Sequence, residues 1–499
     1  MHTYKPNLYY LLNTMTETLS IDQRYAFSRF QSGNNVFVTG PGGTGKTRFI
    51  KHLVEHMRET GKKHQVCALT GCAAILLNCG AKTIHSWSGI RLGRGKPADI
   101  LTRIMKNRYL TKAWREIQVL VIDEISMMSA KLFELLDLIA KAIRRSIKPF
   151  GGIQLVVTGD FFQLPPIPDA SDPLTSAFCF ESAKWTTIFS RENCIQLTTY
   201  FRQTDPLYIS ILEEVRLGNL SESNAAILQK HVNRAYVPQE HGGIIPTKLF
   251  PIRQKVDFVN TTMYAKLAGD EFVYKYEVKD ECMYAESGKP IPIELIERCK
   301  ELSVSDRDFE IEQLLSTNQI EKTIRLKVGA SVMCTTNLNM DAGICNGSQG
   351  IVTGFGESGF PTVHFSNGRT IRIEPHVRQC EEYPCIAITQ LPLCLAWALT
   401  IHKIQGATLD MAEMDIGMSV FEYGQTYVAL SRIKTLDGLY LSEFQSHRIK
   451  ANPNVVAFYA CFPKRSREEM EEALKSKPKE NAVLEEEPYL DPNIKRIRL

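Results

Sequence analysis

Three short stretches of the chain carry apolar residues without polar alternation: "NVFVTG", "IQVLVIDE" and "IQLVVTGD". They are rich in β-branched side chains, which suits strands buried on both faces of a parallel sheet. Helical spacing separates them. In "SAKLFELLDLIAKAIRRSI", Leu132, Leu135, Leu136, Ile139 and Ile143 recur with the helical period. Ser129 is placed to cap that helix, and Lys141, Arg144 and Arg145 suit its carboxyl end. Strands alternating with helices predict a three-layer α/β domain.

After about residue 265 the pattern changes. A polar, irregular stretch is followed by "KVGASVMCTTN", "NGSQGIVTGF" and "PTVHFSNGRTIRI". Asn-Gly pairs at Asn346 and Asn367 stand between strand-like runs, which signals hairpins. The expectation is a small antiparallel β barrel inserted into the α/β fold. Buried character returns with "AITQLPLCLAWALTIHKIQGATLD". The tail after Pro463 is densely charged; it is expected to begin as a helix and end without fixed structure.

Composition narrows this little. The 499 residues are 44% apolar and 23% charged, ordinary for a globular protein of about two to four domains. A net charge of +4 neither demands nor excludes a polyanion, so a nucleic-acid binder would gather its positive charge in one groove. The 13 cysteines are scattered, which points to a reducing compartment rather than a disulfide framework. His376, Cys380 and Cys385 cluster in sequence, but their spacing matches no usual zinc pattern. No run approaches the ~18 apolar residues of a membrane span, and the amino end lacks a basic-then-apolar leader layout.

The chemistry lies at the ends of the apolar strands. In "VFVTGPGGTGKT", Gly40 and Gly45-Lys46-Thr47 fit the phosphate-loop spacing between a strand and a helix. Gly40, Gly42, Gly43, Thr44 and Gly45 would let backbone N–H groups wrap a β-phosphate. Lys46 would reach the β and γ oxygens, and the Thr47 hydroxyl would join a Mg²⁺ shell. In "VLVIDEIS", Asp123 is placed to hold Mg²⁺ and Glu124 to activate the attacking water. In "VVTGDFFQLPPI", Asp160 and Gln163 end another strand, and Gln163 is a candidate sensor of the γ-phosphate. ATP with Mg²⁺ is the expected cofactor pair.

The order of motifs resembles a superfamily-one helicase, and the wording resembles the PIF (petite integration frequency) family of DNA helicases, relatives of RecD. "LSIDQRYAF" resembles the family's adenine-reading segment, with Gln23 as reader. "LTGCAAILL", "KTIHSWSGI", "QLTTYFRQTDPLYISIL", "QLPLCLAWALTIHKIQGATLD" and "GQTYVALSRIKTLDGL" resemble further motifs, from about residue 19 to 445. The resemblance implies two RecA-like phosphate-loop domains, a small wedge insertion and an inserted SH3-like β barrel. The first domain would comprise residues 1–88 and 113–198, with the wedge at 89–112. The second would comprise 199–264 and 386–462, with the insert at 265–385 and a charged tail at 463–499. For residues 270–320 the resemblance offers no match.

It further implies that Arg202 and Arg432 reach the γ-phosphate from the second domain, with Gln405 and Gly406 beside them. Thr70, His85, Trp87, His402 and Lys403 would line a strand groove, Trp87 by stacking on a base. The residue types equally suit an interior, Trp87 as core and His85 as a satisfied histidine. Arg91, Arg94, Lys96 and Lys106 are either wedge contacts to DNA or a solvated loop. The implied activity is ATP-dependent, 5′-to-3′ unwinding by a motor on single-stranded DNA, in replication, repair or recombination. The direction rests on resemblance alone. Rival readings are an ATP-switched DNA-binding scaffold and an RNA or nucleoprotein remodeller. Expected partners are single-stranded and forked or tailed duplex DNA, with a single-strand-binding protein or replication factor as a candidate. The expected state is a monomer, in the nucleus or another DNA-containing compartment.

Overall fold

The computed structural model describes residues 19–475, except 78, 92, 94, 170–171, 237–244, 280–281, 285–289, 318–319, 337, 339–343, 345 and 381–382. Among the described residues, β1 (Val36–Thr39), β2 (His64–Ala68), β3 (Lys82–Thr83), β4 (Val119–Asp123), β5 (Gln154–Gly159) and β6 (Cys194–Gln196) form one parallel sheet. Its order is β3-β2-β4-β5-β1-β6. Every residue of β1 and β4 is buried, because helices cover both faces. The order sets β4, β5 and β1 side by side, so their carboxyl ends form one edge. That edge carries Asp123, Asp160 and the phosphate loop.

The helices follow from local chemistry. α1 (Ile21–Gln31) starts in a capping box between Ser20 and Gln23. α2 (Lys46–Glu59) opens directly from the phosphate loop. α3 (Gly71–Leu77) and α4 (Ile84–Ser88) follow β2 and β3. α7 (Ala130–Arg144) is the helix expected from its apolar spacing. Ser129 Oγ accepts the Leu132 N–H at 3.2 Å, and Leu135, Leu136, Ile139 and Ile143 are buried. Between α4 and β4 lie α5 (Pro97–Lys106) and α6 (Arg108–Glu116), on the expected wedge segment. Arg94 lies outside the described residues.

A second parallel sheet runs β18-β7-β19-β20, from β7 (Thr247–Phe250), β18 (Ala398–Thr400), β19 (Ala412–Ile416) and β20 (Leu439–Phe444). α8 (Pro206–Leu217) packs on this lobe through Tyr208, Ile211, Leu212 and Val215, one face at helical spacing. Asp205 caps its start and Pro206 occupies the first turn. α9 (Arg253–Ala265) follows β7, and α12 (Gln425–Leu430) precedes Arg432.

The insert between α9 and β18 is antiparallel, as expected, but the barrel does not close. β14 (Thr370–Arg372), β13 (Pro361–Phe365), β12 (Gln349–Phe355), β11 (Ser331–Cys334) and β17 (Leu393–Leu395) pair in that order, leaving β14 and β17 as open edges among the described residues. Beside it stand the pair β8 (Phe272–Lys275) with β10 (Thr323–Leu326), and the trio β15 (His376–Gln379), β16 (Ala387–Gln390) and β9 (Glu277–Lys279). Asn367-Gly368 turns β13 into β14, with Gly368 at φ 78°. Asn346-Gly347 makes no two-residue hairpin, because the loop between β11 and β12 runs from 335 to 348. Gly347 instead returns its N–H to Cys334 O at 2.9 Å, starting the β12 pairing.

The unmatched stretch 270–320 holds α10 (Ile293–Lys300) and α11 (Val304–Thr317). These reach the expected wedge segment. Arg91 pairs with Asp306 at 3.1 Å and lies 4.4 Å from the Phe309 ring centroid, while Arg298 lies 4.0 Å from that of Tyr109. After β20 the chain returns to the first lobe. In α13 (Pro453–Ala460), Phe458 stacks on Phe180 at 4.3 Å and Tyr459 on Phe162 at 4.9 Å. Val455 and Phe462 are buried in the first lobe's core, so the end of the 386–462 segment packs there, against that lobe's aromatic residues. α14 (Arg467–Lys475) lies on α1, which gives the charged tail its expected helical beginning; residues 476–499 lie outside those described. No described helix is long and apolar enough to cross a membrane.

Candidate active site

The phosphate loop sits between the lobes, and its glycines are required sterically. A Cβ on Gly43, at φ 90°, would stand 2.5 Å from Gln203 Oε1 and 2.9 Å from Arg202 Cβ. A Cβ on Gly42 would stand 3.3 Å from Ser431 Oγ and 3.6 Å from Arg432 Nη2. Gly40 and Gly45 are likewise pressed, by Leu197 O at 2.6 Å and Gln23 Nε2 at 2.7 Å. The backbone, free of Cβ atoms at these positions, can therefore approach a ligand closely. Gly43→Ala is expected to cost roughly 1–3 kcal/mol through the left-handed φ and the contact with Gln203. Thermal unfolding with and without ADP would read this as a lower midpoint and a smaller ADP-induced shift.

Lys46 donates to Gly40 O at 2.6 Å and to Pro41 O at 3.0 Å, so its ammonium lies inside the loop. Burial pushes its pKa down, against the pull of Asp160, Glu124 and Asp123. Thr44 Oγ1 braces the loop on Pro41 O at 2.7 Å, and Thr47 is exposed at the start of α2. Gln23 is fully buried. Its Oε1 accepts from Ser20 N at 3.0 Å and its Nε2 donates to Gly45 O at 3.1 Å, so the side chain ties α1 to the loop.

Asp123 ends β4 and accepts a hydrogen bond from Thr158 on the adjoining strand. Glu124 follows with φ 55°, a turn that swings its carboxylate off the strand line. Burial and then Asp123 push its pKa up to about 7, while Lys46 and Arg432 oppose. Gln405, from the second lobe, donates to Glu124 Oε2 at 3.1 Å. Among the described residues the amide oxygens of Gln163 and Gln203 are buried without a hydrogen-bond partner, and that of Gln203 stands against Gly43. Asp123 and Thr47 are the oxygen donors that could hold a hard divalent cation.

Both expected arginines converge here. Arg202 Nη1 donates to Ser431 O at 2.9 Å, and its pKa is pushed down to about 9 by burial and then by Arg432. Arg432 is 2% exposed; Nε donates to Val428 O at 2.9 Å and Nη2 to Ser431 Oγ at 2.7 Å. Burial lowers its pKa too, against Glu124. Two desolvated cations beside a phosphate loop disfavour each other until an anion joins them. Gly406 is held near Leu76 of α3, so the 402–406 segment packs on the first lobe.

The groove candidates divide. Thr70 Oγ1 accepts the Ala73 N–H at 3.2 Å at the head of α3. Lys403 lies beside Cys394, Glu321 and Cys72, the last on α3 across the cleft, so Thr70 and Lys403 approach the same seam from opposite lobes. His85 and His402 are half-buried with pKa values lowered by burial, hence neutral near pH 7. Trp87 is a correction. It is 7% exposed within the first lobe's core, 4.5 Å from the Trp114 ring centroid, and offers no stacking face. An indole on a short amphipathic helix suits either setting, and the Trp114 contact decided.

Three residues were missed. Gln203 donates to Ser431 O and Ile433 O at 3.2 and 3.1 Å; adjacency to Arg202 was its only signal. Tyr427 Oη accepts the Gly42 N–H at 2.8 Å. Arg216 of α8 forms a two-pronged pair with Asp160 at 2.9 and 2.8 Å, buried on both sides. Nothing in sequence links residues so far apart.

The chain is similar along most of its length to known proteins. Residues 18–226 match the family model described as PIF1-like helicase, and residues 311–355 match that of the DNA helicase Pif1 2B domain. The ATP-dependent DNA helicase PIF1 of Danio rerio is 35% identical over 454 residues, 90% of this chain and 65% of the relative; the chain thus spans under two thirds of that relative's length. The crystal structure of Pif1 helicase from Candida albicans is 33% identical, covers 89% of this chain and 99% of that one, and has a TM-score of 0.71. Pif1 helicase from Bacteroides in complex with ADP-AlF3 and single-stranded DNA is 28% identical, covers 89% and 96%, and has a TM-score of 0.60.

Proposed function

The chain belongs to the PIF1-like helicase family, and from that premise we propose that it is an ATP-dependent DNA helicase. The observation that carries this is the convergence of Arg202, Arg432 and Gln405 from beyond the first lobe on Gly42, Gly43 and Glu124 within it. ATP would bind with its β-phosphate on the loop amides and Lys46. Thr47 and Asp123 would hold Mg²⁺, which when bound neutralises charge on the β and γ oxygens. Glu124 takes a proton from the attacking water, and Gln163 faces the γ-phosphate. The two guanidinium groups stabilise charge that spreads over the γ oxygens, a contribution of ~10³-fold or more. Because the cleft draws on both lobes, loss of the γ-phosphate removes the anion that holds them together.

Single-stranded DNA would cross the seam at Thr70, His402 and Lys403, with His85 nearby. Contacts to phosphate and sugar suit a motor that must ignore sequence. The inserted sheet, read as an SH3-like unit, and the wedge would stand at the fork. Forked and tailed duplexes are the proposed substrates, movement is proposed as 5′ to 3′, and the setting as nuclear DNA replication, repair or recombination. Duplexes with a 5′ or a 3′ single-stranded tail test this. ATP should drive strand separation of the 5′-tailed substrate, and single strands should stimulate hydrolysis. Stimulated hydrolysis without separation of either substrate would leave only an ATP-switched binder.

A further inference from the structure

Tyr427 has half of its hydrogen-bonding capacity in use. It stands on α12, five residues before Arg432, and is 2% exposed. Its hydroxyl oxygen accepts the Gly42 N–H at 2.8 Å. A phenol also carries one proton to donate, and among the described residues that proton has no acceptor. Ser431 and Arg432 crowd the same glycine. Burial and then the nearby Asp160 push the phenol's pKa far upward, so it keeps its proton at neutral pH. A buried donor without a partner, beside a phosphate loop and a guanidinium, marks where an acceptor arrives.

We propose that Tyr427 is a γ-phosphate ligand that anchors its oxygen on Gly42 and donates its hydroxyl proton to a γ-phosphate oxygen. This rests on the nucleotide site proposed above. It adds a basis for telling a triphosphate from a diphosphate. The loop amides and Lys46 hold the β-phosphate from the first lobe, whereas Tyr427 belongs to the second lobe and meets only the terminal group. It also gives the second lobe a direct hold on the loop backbone, independent of the arginines.

Tyr427→Phe keeps the ring and removes the hydroxyl. Affinities for ADP and for a non-hydrolysable ATP analogue should be measured on the variant and the unaltered protein, with the kcat of ATP hydrolysis. The analogue should bind about tenfold more weakly, the size of a lost hydrogen bond to a charged group, and kcat should fall with it. ADP affinity should stay within about twofold, which also reports an intact fold. An equal loss for both nucleotides, or no change in either, would overturn the proposal. If the unaltered protein bound neither nucleotide, the nucleotide site itself would fall, and this inference with it.

Discussion

Glu124→Gln is expected to lower the kcat of ATP hydrolysis by about 10²–10⁴-fold, the usual contribution of a positioned general base, while ATP still binds. The amide keeps the shape and the contact with Gln405 but cannot accept a proton from water. A pH series sharpens the result. The Glu124 carboxyl is raised, by burial foremost, to about 7. The base works only when ionised, so kcat/KM should climb with pH and level off above about 7. In the variant that acid limb should vanish. The stability sign runs the other way. A carboxyl whose folded pKa exceeds its unfolded value favours folding while protonated, so its contribution is lost as pH rises from the unfolded value toward about 7. Activity and stability should therefore diverge across that window. A variant with wild-type kcat would remove Glu124 from the mechanism.

Arg216→Ala should destabilise the fold by ~3–5 kcal/mol, the cost of stranding one partner of a buried pair. Arg216 is 7% exposed and Asp160 fully buried, so little water could take the place of the lost cation. The guanidinium also lies 4.4 Å from the Phe162 ring centroid and 5.4 Å from that of Tyr459. Denaturant unfolding of the single variant and of the double variant Arg216→Met/Asp160→Leu separates charge from packing. The double variant should recover most of the loss, because no charge is then left alone. A single variant as stable as the parent would mean that the pair contributes nothing.

Features confined to a continuous stretch were legible in advance. The phosphate loop, the acidic pair after β4 and the cap and face of α7 each need a few neighbouring residues, and the apolar runs announced their burial. The approach of Arg202 and Arg432 to the loop was expected from resemblance, and the geometry follows it. What escaped depends on distant partners. Trp87 was resolved by Trp114, Arg216 by Asp160, and Tyr427 by a backbone N–H that no side-chain pattern can announce. The inserted sheet shows a different limit. Alternation and Asn-Gly turns specify antiparallel strands, but closure depends on whether the edge strands β14 and β17 meet, and alternation is silent about that.

The return of the chain through α13 makes the second lobe a loop of the first, joined by two covalent crossings. One precedes α8 and the other lies near Ala451. The second passes the far end of α8: a Cβ on Gly218, at that end, would stand 2.3 Å from Ala451 N. Two tethers define one line, so they behave as a door hinge and not as a swivel, permitting swing about that line and resisting twist. A single protease cut in either crossing would split the chain in two, yet the other crossing would still tie the second lobe to a segment packed in the first.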